Sequence, residues 1–63
     1  MTQDEFYKAI EKAIEEEHDA GSLYISLAAD AQNEEDRECL MKMARQEVMH
    51  KAHLEWIRLK KNL

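Results

Sequence analysis

Glu47 and His50 stand three positions apart in a 63-residue chain. On a helix that spacing puts a carboxylate and an imidazole on one face, where both can reach a single cation. Glu17 is the third residue of interest, because all three fall where the surrounding apolar pattern calls for Leu or Ile. An ionised carboxylate in such a seam is costly unless it is paired or bound to a metal. Hard oxygen ligands with one imidazole per ion favour iron or manganese and disfavour a thiolate-type zinc site, although zinc is an acceptable substitute. Such a set suits a metal that changes oxidation state. Carboxylates stabilise Fe(III), bridge two ions and shift between mono- and bidentate binding.

The elements that must position these groups are two helices. Thr2 and Glu5 have the spacing of a capping box, and the apolar positions that follow recur at alternating intervals of four and three. Phe6, Ile10, Ala13, Glu17, Ala20, Tyr24, Leu27 and Ala31 form one heptad stripe, which predicts a helix over about residues 3–32. Asn33, followed by Glu34, Glu35 and Asp36, is a second helix start. The second helix is predicted over about 34–61, with a seam of Leu40, Met43, Glu47, His50, Leu54 and Ile57 broadened by Trp56 and Leu59. A turn near Gln32 to Glu34 is short enough to force the helices antiparallel, so residues 1–63 are expected to be one all-α two-helix hairpin. Glu17 lies sixteen residues before Asn33 and Glu47 fourteen after it. At a rise of about 1.5 Å per residue both are roughly 21 to 24 Å from the turn, at one height.

Composition narrows the class further. With 37% charged residues, one glycine and no proline, this is not a strand-and-turn protein. A chain of about 60 residues buries only roughly 60% of its unfolded surface and needs additional burial. Cys39 has no partner within the chain and there is no zinc-type Cys/His cluster, which leaves oligomerisation or a metal on other ligands. A lone hairpin keeps two apolar stripes uncovered, and a two-fold dimer would stack two hairpins into a four-helix bundle. Doubling the triad then gives four Glu and two His, the ligand inventory of di-iron and di-manganese carboxylate sites. The net charge of -5 is unevenly spread: residues 1–38 carry twelve acidic and three basic side chains, residues 39–63 two and six. The acidic balance suits cations and argues against nucleic acid as a partner. Arg58, Lys60 and Lys61 read as a helix end complementing its dipole. No stretch reaches the roughly 20 apolar residues of a membrane span and no basic-then-apolar leader opens the sequence, so a cytoplasmic protein is expected.

Tyr24, one heptad after Glu17, is either a hydrogen-bond donor or redox-active neighbour of the metal, or simply a core aromatic. Gly21 in mid-helix costs roughly 0.8 to 1 kcal/mol relative to Ala; with Ala20 it leaves room for an opposing helix or an oxidant, or marks a close packing contact. Glu16 and Asp19 are candidates for a weaker cation entry site beside Glu17, against the plainer reading of a solvated acidic face. His18 and His53 are expected at the surface or an interface, the four methionines mostly as core filler, and Cys39 as a small buried or half-buried hydrophobe.

The pattern Glu17-x-x-Ala20-x-x-x-Tyr24-x-x-x-Ala28, followed by Ala44-x-x-Glu47-x-x-His50-x-x-x-Leu54, resembles one half of a ferritin-like domain of rubrerythrin type. Among that superfamily the two-helix encapsulated ferritins are closest in plan, and Leu54-Glu55-Trp56-Ile57-Arg58 resembles the end of their second helix. The resemblance implies a hairpin that is inactive alone and a di-iron ferroxidase centre completed at a homodimer interface or in a higher homo-oligomer. It implies Glu17, Glu47 and His50 as iron ligands, Tyr24 beside the site, and Glu16 and Asp19 as acidic positions on the way in. It also implies an encapsulin shell as partner if a docking tail follows Leu63. The expected activity is oxidation of Fe(II) by dioxygen or peroxide, for iron storage or detoxification, with two iron ions per dimer. Two alternatives stand beside it. A rubrerythrin-like peroxide-reducing protein would use the same ligands but need an electron donor, and this sequence lacks the CxxC-bearing rubredoxin module. A non-catalytic dimerisation module would use the polar seam only to fix helix register.

Overall fold

Thr2 starts the first helix as its spacing to Glu5 requires. In the computed structural model, which describes residues 1–62, the Thr2 hydroxyl accepts from the Glu5 amide at 3.2 Å and the Glu5 carboxylate accepts from the Thr2 amide at 3.1 Å. The Thr2 backbone amide, with a smaller contribution from its side chain, holds the Glu5 carboxyl below the usual carboxylate range. Helix α1 then runs over Gln3–Ala29 and α2 over Glu34–Leu59, followed by a 3-10 turn at Lys60–Asn62. The two helices pack antiparallel as the expected all-α hairpin.

Both helices are shorter than the apolar pattern suggests. The expected end of the first helix at 32 moves to Ala29, because the amides of Asp30 and Ala31 turn back three residues to the carbonyls of Leu27 and Ala28, at 3.1 and 3.2 Å. Ala31 therefore belongs to the turn. Asn33, extended at φ -147° and ψ 164°, caps α2 by accepting from the Asp36 amide at 2.8 Å, a cap worth about 1 kcal/mol. Arg37 reaches back across the turn and donates to the carbonyls of Ala28 and Ala31, at 3.4 and 3.5 Å, satisfying acceptors that a helix end leaves free. At the far end α2 gives way to the tighter 3-10 turn after Leu59 instead of continuing to 61.

The closest packing lies one residue further along α1 than the expected seam. Ile14, Gly21 and Ala28, spaced by seven, are the buried positions of α1, and Ala44 is the buried position of α2. Small residues permit this close approach. Ile10, Glu17 and Tyr24 of the expected seam are half-buried beside that stripe, as are Leu40, Glu47 and Leu54 on α2. Phe6 and Leu27 are instead 40% and 45% exposed. At 100° per residue, Phe6, Ala13, Ala20 and Leu27 of α1 and Met43, His50 and Ile57 of α2 fall on one side of the hairpin, forming an adjoining face. The expected seam is thus half contact rim and half open face.

Other apolar expectations are corrected in the same way. Trp56 and Leu59 are 60% and 64% exposed and do not broaden the seam; Lys60 places its ammonium 3.6 Å from the Trp56 ring centroid, a cation-π contact. Met1 and Met49 are exposed, with only Met41 and Met43 half-buried, and Cys39 is exposed beside the turn. The attraction between the acidic and basic parts of the chain is realised by Arg58, which lies 3.3 Å from Glu11 across the helices and 3.5 Å from Glu55 on its own.

The hairpin is a rod of 47 × 15 × 14 Å. Its radius of gyration is 14.7 Å, against about 11 Å for a compact chain of this length. Its accessible surface is 5070 Å², against roughly 4,200 Å² for a folded monomer of this mass. Among the described residues the buried hydrophobic side chains are Ile14, Ala28 and Ala44, and no large side chain is fully buried. Among the same residues, no helix is long and apolar enough to cross a membrane.

Candidate metal centre

Glu17 from α1 and Glu47 from α2 face each other at the height the distances from the turn require. Their side chains are half-buried, while that of His50, at the edge of the open face, is 58% exposed. His50 Nδ1 lies 3.6 Å from Glu17 Oε2 and 3.9 Å from Glu47 Oε2. Donor atoms of all three residues fall within 4.8 Å of one another. The i, i+3 spacing of Glu47 and His50 and the antiparallel register are together what assemble the group.

The residues fit a cation by the following observations. Glu17 Oε2 is buried and has no hydrogen-bond partner, and such an acceptor is destabilising unless something occupies it. Donors that share one ion at about 2.0 to 2.2 Å stand roughly 3.0 to 3.6 Å apart in tetrahedral or cis-octahedral geometry, so the His50 separations of 3.6 and 3.9 Å are near that spacing and the widest pair closes by about 1 Å. Two carboxylates and one imidazole on the open side of a hairpin are also an incomplete set. One protomer offers three ligand residues, short of the four to six that iron or manganese takes, and its imidazole is half in solvent.

The remaining expected residues are placed unequally. Tyr24 is half-buried on the same stripe as Glu17, one heptad on, and among the described residues its hydroxyl makes no hydrogen bond. Glu16 and Asp19 are exposed, 100° and 200° around α1 from Glu17, so they lie outside the cluster. His53 is exposed. His18 is exposed too, but lines a groove with Gly21 on the opposite side of the two carboxylates from His50. Lys51 was not legible as a site residue: it is half-buried in the stripe of Ala44 and Arg58, spaced by seven, and also lines that groove. The signal that would have found it is its register with Ala44.

No family model, curated protein or solved structure matches this chain.

Proposed function

We propose that two copies of the hairpin pair through the face bearing His50, form a four-helix bundle, and oxidise Fe(II) between Glu17, Glu47 and His50 of both protomers. The observation that carries this reading is the conjunction of an orphaned, buried Glu17 oxygen with a half-assembled ligand set on an uncovered apolar face. The hairpin exposes roughly 800 Å² more than a compact monomer of its mass should, which is about one partner's share of a standard interface. Covering Phe6, Leu27, Met43 and Ile57 with a second copy would at the same time enclose His50 and bring in the second set of ligands.

Iron is the substrate, one Fe(II) per chain, and Mn or Zn is expected to compete for the same ligands. Each of two Fe(II) ions gives up one electron. Dioxygen takes both with two protons and leaves as hydrogen peroxide; peroxide as oxidant takes both with two protons and leaves as two water molecules. In this scheme Glu17 and Glu47 bind and neutralise the cations, His50 adds a nitrogen ligand, and Tyr24 lies one heptad further along the same stripe with its phenol free to donate. Glu16 and Asp19, exposed on α1, supply a negative field that favours cation arrival.

Anaerobic Fe(II) followed by air is expected to give ferric absorption that saturates near one iron per chain and stops when Fe(II) is exhausted. Sustained peroxide consumption with a reduced rubredoxin-type donor, without net loss of Fe(II), would replace the oxidase reading with a peroxide-reducing one.

A further inference from the structure

We propose that the groove behind Glu17 and Glu47 is the path by which a small uncharged oxidant, dioxygen or hydrogen peroxide, reaches the iron, and that Gly21 keeps it open. The proposal rests on the ferroxidase reading and deepens it by assigning the second substrate its own route.

The groove has a volume of about 340 Å³ and its walls include Glu17, Gly21, Ile25, Glu47, Val48 and Ala52. Val48 and His50, two residues apart, point about 200° apart around α2. The groove therefore opens on the side of the hairpin away from the face a second copy would cover, and pairing leaves it accessible.

Gly21 is only partly explained by the fold, which needs a small residue where the helices meet but has room for alanine. It sits inside α1, where glycine weakens a helix relative to alanine, and its φ is not positive. A Cβ at this position would meet the Glu47 Cβ at 3.6 Å and the Ala44 carbonyl oxygen at 4.0 Å, ordinary van der Waals contact. Neither the backbone nor the approach of α2 requires a glycine. A side chain here would instead stand against Glu47 at the wall of the groove.

The charges of the groove select its occupant. Once Glu17 and Glu47 hold iron, the formal charges left along it are Lys51, which has no ion-pair partner among the described residues, and Glu55, which already faces Arg58 at 3.5 Å. A lysine at the wall repels Fe(II). It does not hinder a neutral molecule passing between Ile25, Val48 and Ala52.

The test compares wild type with Gly21→Ala and Ala52→Met, the second at an exposed position of the groove wall, whose unbranched side chains narrow and fill the groove without changing charge. Expected are unchanged oligomeric mass, unchanged anaerobic Co(II) affinity, and air oxidation of Fe(II) slowed severalfold by Gly21→Ala and at least tenfold by Ala52→Met. In metal-free wild type under oxygen pressure, dissolved dioxygen should relax the Gly21 amide proton more than that of Ala28, which is equally a buried member of the stripe. Wild-type oxidation rates in Ala52→Met, or equal relaxation at Gly21 and Ala28, overturn the access route while leaving the ferroxidase reading intact. Loss of Co(II) affinity in Gly21→Ala also overturns it, by making Gly21 part of the site's geometry. Wild type that binds neither Co(II) nor Fe(II) overturns both.

Discussion

Glu47→Ala is expected to eliminate iron oxidation, lowering the initial rate at least a hundredfold and removing the ferric absorption that wild type develops in air. The effect is large because the substitution acts twice: in a two-fold dimer one change deletes a carboxylate from each protomer, and with it half of the four carboxylates that balance two Fe(II). It also removes a donor from the only arrangement in the described residues that brings three candidate ligands together. The fold should survive. Alanine is the best helix former, and a half-buried carboxylate is not a source of stability unless something binds it. Glu38→Ala, an exposed position with the same change of charge, is the control. Equal oxidation by wild type and Glu47→Ala would remove this site from the chemistry, whatever the protein's overall affinity for iron.

Metal is expected to stabilise the fold by an amount that is easy to measure. A ligand that binds only the folded state and is present at a hundred times its Kd adds about 2.7 kcal/mol. For a domain of this size each kcal/mol moves Tm by roughly 4 to 8 °C, so Fe(II) or Co(II) under anaerobic conditions should raise Tm by about 10 to 20 °C and EDTA should reverse it, at fixed protein concentration. Glu17→Leu separates the metal from the fold. Without metal the variant should melt above wild type, because it removes a carboxylate whose Oε2 is buried with no partner. With metal it should gain nothing. If EDTA leaves wild type unchanged while Glu17→Leu still melts higher, the polar seam serves only to set the register of two helices, and the catalytic reading fails.

Much of this arrangement was legible in the chain because it depends on periodicity and distance. The capping box at Thr2 and the cap at Asn33 fixed where helices begin, and counting residues from Asn33 was enough to bring Glu17 level with Glu47. The end of α1 was not legible. Ala31 continues the apolar rhythm, and what stops the helix at Ala29 is a local choice of tighter hydrogen bonds, supported by Arg37 from the next helix. The packing stripe was missed for a different reason. Apolar pattern ranks positions by side-chain size, whereas the helices meet where side chains are smallest, at Gly21, Ala28 and Ala44, and the larger Phe6 and Leu27 are left to the open face. Trp56 and Cys39 lie outside the contact for the same reason: composition says that such residues prefer burial, but one hairpin has too little interior to bury them. His50 is likewise left exposed by a single hairpin, and the proposed pairing would enclose it.

Native mass measurement of the protein with Fe(II) under anaerobic conditions tests the central claim most directly, because it reads assembly and occupancy together. The account predicts a species at twice the 7.5 kDa chain mass, or a multiple of that pair, carrying one iron per chain, which loses its iron in Glu47→Ala. A monomer at all concentrations, or a pair that carries no iron, would contradict it.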